Sequence, residues 1–130
     1  MSVPEASRPR VLVVDDEPLI ARAMARLLAA QYEVDVSGSV DEALAHVRSG
    51  EAPAVILCDL TMPRRSGVEL YEELQRERPD LAARVVFVTG GAYAPAARAF
   101  LERVRPPQLD KPFTSEQLLE AVACVLAASG

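Results

Sequence analysis

The stretch that decides the fold is residues 11–17, VLVVDDE. Its first four residues are apolar and mostly β-branched, which is typical of a strand covered on both faces. Asp15, Asp16 and Glu17 follow directly, and Pro18 suits the first turn of a helix. The stretch therefore predicts a strand–helix unit with acidic groups at the carboxyl end of the strand.

Four further strand signals follow along the chain, separated by helical patterns. The apolar runs Ala54–Cys58 and Val85–Val88 predict buried strands, whereas Tyr32–Val36 alternates in polarity and predicts an edge strand. Pro106–Leu109 is a short, weak strand signal. The alternation predicts an α/β fold, a doubly wound (βα)5 three-layer sandwich with a parallel five-stranded sheet. The order 2-1-3-4-5 places the second strand at an edge and a ligand crevice at the carboxyl ends of strands one and three.

Three of the predicted helices begin with a capping-box sequence, in which Ser or Thr is followed three positions later by Glu or Gln. The pairs are Ser39 with Glu42, Ser66 with Glu69, and Thr114 with Gln117. In each pair we expect the side chain of the first residue to accept a hydrogen bond from the backbone N–H of the second.

The composition excludes several classes of protein. The 130 residues fit one domain, which we assign to residues 10–130, preceded by a flexible tail at residues 1–9. The net charge of -5 argues against direct binding to nucleic acid. The sequence has neither the apolar run of roughly 18 residues needed for a membrane span nor a signal-peptide core. Two cysteines and one histidine predict no zinc site and favour a reduced, cytoplasmic protein.

Polar residues with chemical potential follow the predicted strands. Asp15 and Asp16 come after the first strand, Asp59 after the third, Thr89 after the fourth and Lys111 after the fifth. Singly, each could be a helix cap, a turn residue or a surface cation. Because parallel strands bring these positions to one edge, however, the carboxylates should crowd together there. Three carboxylates and one ammonium leave a net negative charge, which Mg²⁺, or Mn²⁺, would cancel. Such ions prefer hard oxygen ligands, which the carboxylates provide.

Lys111 is the only lysine among fourteen cationic residues. One interpretation is chance; the other is a site that needs a compact ammonium, which a planar guanidinium cannot replace. Composition alone leaves both open.

Five sequence blocks together resemble the receiver domain of bacterial two-component response regulators. They are VLVVDDE at 11–17, ILCDLTMP at 56–63, Gly67, VFVTG at 86–90 and LDKPF at 109–113. The blocks occur in the family's order, each near a predicted strand end, and the resemblance covers about residues 9–127. It implies a phosphorylation-dependent signalling switch that is not an enzyme beyond its own phosphorylation and dephosphorylation.

The resemblance also implies a role for each matching residue. Asp59 would be the phosphoacceptor, with Asp16, Asp59 and the main-chain carbonyl of Thr61 as Mg²⁺ ligands. Asp15 would share the coordination or act through a water. Thr89 and Lys111 would contact the phosphoryl group, and the Lys111–Pro112 bond is expected to be cis. The donor would be a phosphohistidine on a histidine kinase or phosphotransfer protein, with an unknown protein downstream and no direct nucleic-acid partner.

One position departs from the family pattern. Three residues before the lysine the family often has Tyr or Phe, whereas this chain has Gln108. The ring that moves after phosphorylation is therefore missing, which affects the output surface rather than the acceptor chemistry. Segments 89–95 and 105–111 are similar to receivers attached to hybrid sensor kinases.

Three other interpretations remain open at this stage. An aspartyl-nucleophile phosphohydrolase typically needs a second Asp two residues after the nucleophile, where this chain has Thr61. A flavodoxin-type flavin binder needs hydroxyls and amides in its first loop, where this chain has Asp15, Asp16 and Glu17. A degenerate receiver that serves only as a docking module is disfavoured by the complete acidic set.

Overall fold

A computed structural model describes residues 8–50, 52–91 and 94–129 of the chain. The predicted flexible tail at residues 1–9 therefore lies almost entirely outside the described residues, and so does position 93 of the segment compared with hybrid-kinase receivers.

The centre of the fold is a parallel five-stranded sheet of order β2-β1-β3-β4-β5, so the predicted order is confirmed. The strands are β1 (Arg10–Val14), β2 (Glu33–Ser37), β3 (Val55–Asp59), β4 (Val85–Thr89) and β5 (Gln108–Asp110). Two of the three inner strands, β1 and β3, pair in register from Val11 with Val55 to Val14 with Cys58. β2 is a partly exposed edge strand, whereas β4 is buried throughout. This matches the alternating and continuous sequence patterns that predicted them.

Helices cover both faces of the sheet. They are α1 (Pro18–Leu28), α2 (Val40–Ser49), α3 (Gly67–Glu77), α4 (Pro79–Ala82), α5 (Pro95–Val104) and α6 (Ser115–Ser129). α1 and α6 pack on the face that carries Val11 and Val13, and the remaining helices pack on the face that carries Leu12 and Val14. Successive side chains of a strand point to opposite faces of the sheet. Because successive residues of β1 are apolar, both faces are apolar and each holds its own core.

The predicted helix caps are confirmed in two of three cases. Ser39 Oγ accepts a hydrogen bond from the Glu42 N–H at 3.1 Å, and Thr114 Oγ1 does the same for Gln117 at 3.1 Å. The Ser66 cap is wrong, because its hydroxyl makes no capping hydrogen bond. Glu69 accepts a hydrogen bond from Arg65 Nε at 3.0 Å instead. The Glu69 N–H itself donates to the main-chain carbonyl of Ser66 at 3.1 Å rather than to the hydroxyl.

The short helix α4 was not predicted. It follows α3 after Arg78, begins at Pro79 and buries Leu81 and Ala82 against the core. Proline at the first helical position fits its missing N–H and fixed φ. Among the described residues, none of the helices combines the length and apolarity required to cross a bilayer.

Candidate functional site at the carboxyl edge of the sheet

The parallel sheet brings the predicted polar residues to one edge. Asp15 and Asp16 directly follow β1, and Lys111 directly follows β5. Asp59 and Thr89 are the last residues of β3 and β4 rather than the first residues after them. Each strand thus ends one residue later than expected, but the edge is the predicted one.

Three carboxylates form a compact cluster at this edge. Each of the three residues offers one carboxylate oxygen, and these oxygens lie within 4.8 Å of one another; the residues are Asp15, Asp16 and Asp59. Asp15 is buried, with 3% of its surface exposed, and the Asp59 side chain is 12% exposed. Backbone groups orient two of them: Glu17 N–H donates to Asp15 Oδ1 at 2.9 Å, and Thr61 N–H donates to Asp59 Oδ1 at 3.1 Å.

Burial and mutual repulsion raise the pKa of two of these carboxyl groups. For Asp15 and Asp59 the main cause is desolvation, with a smaller contribution from the neighbouring negative charges. The backbone N–H donors and the Lys111 ammonium oppose this and lower each pKa. The net result is a raised pKa for both carboxyl groups, so the cluster holds negative charge that its protein partners do not fully compensate.

This donor set fits a small divalent cation. Mg²⁺ prefers carboxylate and carbonyl oxygens, and it binds through a few such ligands while it keeps waters or phosphoryl oxygens in its other positions. Asp15, Asp16 and Asp59 supply only oxygen, at separations that one ion can span. The Thr61 main chain is adjacent, because its N–H already bonds to Asp59.

Lys111 completes the charged part of the site. Its Nζ lies 3.9 Å from Asp59 Oδ2, and its side chain is 30% exposed. The Lys111 N–H donates to the Thr89 carbonyl at 2.8 Å, which attaches the segment after β5 to the end of β4. The Lys111–Pro112 bond is cis, as the resemblance implies.

Thr89 is buried and takes part in a local turn. Its Oγ1 accepts a hydrogen bond from the Gly91 N–H at 3.0 Å. Gly91 has a φ of 88°, in the left-handed region that glycine adopts at low cost. A hydroxyl that accepts one hydrogen bond can still donate its proton to another acceptor. Gln108, which stands at the unusual position, is exposed on β5 beside Phe87.

The segment from β3 to the start of α3 contains Gly67, one of the blocks of the resemblance, and two arginines that the sequence did not mark as part of the site. Gly67 packs so tightly under Asp59 that a Cβ would lie 2.7 Å from the Asp59 carbonyl oxygen. Arg64 has a φ of 69°, and Arg65 contacts carboxylates on two helices. The paired arginines were a visible signal in the sequence, and the contact that they did not reveal is the one from Arg65 to Asp41, 24 positions earlier.

The comparison with protein families agrees with this geometry. The response regulator receiver domain family matches residues 11–123, nearly the whole chain. The chain belongs to this family, and it is a receiver domain of two-component systems. Membership separates it from the phosphohydrolase and flavin-binding interpretations.

The chain is similar to segments of different kinds of signalling protein. The chain is 31% identical over 116 residues to hybrid signal transduction histidine kinase D of Dictyostelium discoideum, covering 89% of this chain and 7% of the relative. It is 30% identical over 125 residues to the C4-dicarboxylate transport transcriptional regulatory protein DctD of Pseudomonas aeruginosa, covering 92% of this chain and 25% of the relative. It thus spans a small part of these relatives. Since both a kinase and a transcriptional regulator occur, the similarity to kinase-linked receivers stays a prediction.

A solved structure shows the same fold. The CheY-like receiver domain protein of Methanospirillum hungatei superposes with a TM-score of 0.83 at 26% identity, covering 95% of this chain and 97% of that one.

Proposed function

We propose that Asp59 accepts a phosphoryl group, with a divalent metal held by Asp15, Asp16, Asp59 and the Thr61 carbonyl. The observation that carries this proposal is the carboxylate cluster, whose ligand oxygens lie within 4.8 Å of one another, next to Lys111 Nζ at 3.9 Å from Asp59. Such an arrangement offers a nucleophilic carboxylate, oxygen ligands for a cation and one mobile positive charge.

In the proposed step a carboxylate oxygen of Asp59 attacks phosphorus. The new O–P bond makes an acyl phosphate, and the P–N bond to the donor imidazole breaks. The electron pair of that bond stays on the imidazole nitrogen, which takes up a proton from solvent. When bound, Mg²⁺ supplies charge neutralisation between the carboxylate and the phosphoryl oxygens. Lys111 then moves its ion pair from Asp59 to a phosphoryl oxygen, and Thr89 donates its hydroxyl proton to another.

Receiver domains take phosphoryl groups from histidine kinases, and we propose a histidine kinase or a histidine phosphotransfer protein as the donor. The chain then acts as a switch for a downstream protein, and its only chemistry is its own phosphorylation and dephosphorylation. We place this activity in the cytoplasm, where its cysteines, free in the structure at Cys58 and Cys124, stay reduced.

Intact-mass measurement after incubation with acetyl phosphate tests the proposal. We expect the wild-type chain to gain one phosphoryl group with Mg²⁺ and none with EDTA. Asp59→Asn should gain none, whereas Asp80→Asn, at a surface carboxylate paired with Arg78, should behave as wild type. Equal modification of the Asp59→Asn variant and the wild type contradicts the assignment.

A further inference from the structure

The loop between β3 and α3 holds a backbone conformation that L-residues rarely adopt. Arg64 has a φ of 69°, and the Arg65 N–H donates to the Pro63 carbonyl at 2.8 Å. A hydrogen bond between residues two apart around a positive φ is a γ-turn, which is strained for any residue except glycine. Strained turns persist only where the surrounding structure holds them.

Arg65 supplies such a restraint immediately after the turn. Its guanidinium donates to Asp41 at 2.8 Å, to Glu69 at 3.0 Å and to Glu73 at 3.3 Å. The three carboxylates raise the pKa of Arg65 further above its already high value, so it stays charged. Glu69 and Glu73 belong to α3 and Asp41 to α2, so a single side chain connects the loop to two helices.

These contacts reach both segments that carry the proposed metal site. On one side, Asp59 ends β3 and Thr61 lies near the start of the loop that Arg65 holds, and the Thr61 N–H donates to the Asp59 carboxylate. On the other side, α2 begins three residues after Ser37, whose carbonyl accepts the Asp15 N–H at 3.1 Å. The ion pair between Arg65 and Asp41 therefore links the Asp59 segment to the segment that supports Asp15.

We propose that Arg65 is a positioning residue for the metal site, and that its three ion pairs hold the strained turn and with it the main chain of Thr61. This inference rests on the proposed function, because it concerns the affinity of the same site for Mg²⁺. Arg65 acts through the loop, since its guanidinium pairs with the three helix carboxylates and not with the Asp15, Asp16 and Asp59 cluster. A planar guanidinium can serve three carboxylates at once, which an ammonium does less well.

The test compares Mg²⁺ binding by calorimetry in Arg65→Gln and in a matched control, Arg48→Gln. Arg48 also pairs with Glu73, and with Glu77, on the same surface, but the pairs do not involve the loop. We expect Arg65→Gln to weaken Mg²⁺ binding about fivefold, a loss between those typical of surface ion pairs and of ligand-orienting residues. Arg48→Gln should leave Mg²⁺ binding unchanged while it lowers the melting temperature about as much as Arg65→Gln does.

Two further variants separate positioning from general stability. Arg64→Gly relieves the strain at the turn, so in the double variant with Arg65→Gln it should restore most of the lost Mg²⁺ affinity. Arg65→Lys keeps the charge and should lose less affinity than Arg65→Gln, and it provides the comparison if Arg65→Gln does not fold.

The outcomes distinguish the inference from the proposed function. Wild-type Mg²⁺ affinity in Arg65→Gln, or equal losses in Arg65→Gln and Arg48→Gln, overturns the positioning role and leaves the phosphoacceptor proposal intact. A wild-type chain that neither binds Mg²⁺ nor accepts a phosphoryl group overturns both.

Discussion

Gly67→Ala should destabilise the protein, because there is no space for a methyl group at the start of α3. A Cβ on this buried residue would lie 2.7 Å from the Asp59 carbonyl oxygen and 3.1 Å from both Cys58 Sγ and Phe87 Cε1. The closest of these atoms belongs to the backbone, which must move by about 0.7 Å to reach ordinary contact distance. Overpacking of this kind costs about 1–3 kcal/mol, with additional strain from the backbone shift, and the better helix propensity of alanine offsets less than about 1 kcal/mol.

We therefore expect a net loss of about 2 kcal/mol in the free energy of unfolding, or about 7 °C in melting temperature for a domain of this size. Urea denaturation followed by circular dichroism measures the first quantity and a thermal scan the second. Because the displaced atom belongs to Asp59, Mg²⁺ binding should weaken as well.

Gly90→Ala is the matched control for this substitution. No heavy atom lies within 4 Å of a Cβ built at Gly90, and its φ lies outside the left-handed region. Its stability should equal or slightly exceed that of the wild type, because alanine reduces the freedom of the unfolded chain. A Gly67→Ala variant as stable as Gly90→Ala would refute the reasoning about the close approach to Asp59.

Three further predictions concern charge and switching. Without metal, Asp15→Asn should melt at a higher temperature than the wild type at pH 7. Burial raises the pKa of Asp15, so its ionised form destabilises the fold above that raised pKa, and this destabilisation disappears as the pH falls toward 3.8. A difference in melting temperature between the two proteins that persists at acid pH contradicts this. Lys111→Arg should change the lifetime of phosphorylated Asp59 although the charge is kept. If the phosphorylated mass decays at the same rate in the variant and the wild type, this prediction is wrong. With a beryllofluoride phosphoryl mimic, amide shifts should be largest around Gly91 and small around Gln108, and equal changes at both would show that the missing ring is irrelevant.

The strand–helix alternation and the edge where the site lies were predictable from local sequence. Continuous β-branched runs such as Val11–Val14 have few alternatives to a buried strand, and the period-two pattern of β2 placed it at an edge. Parallel strands then bring Asp15, Asp59 and Lys111 together from distant positions by topology alone. The roles of these residues in phosphoryl transfer stay predictions.

Two of the three helix caps were predictable from local sequence, but tertiary structure alone decided which partners polar side chains take on other elements. Ser66 and Glu69 carry a valid capping sequence, and nothing in the local sequence shows that the cap does not form. The connection of Arg65 to Asp41, 24 positions earlier, likewise has no local signal. Periodicity determines which residues are buried, because burial follows the repeat of the helix or strand. Hydrogen bonds and ion pairs depend on distances between elements, which become defined only when the helices pack on the sheet.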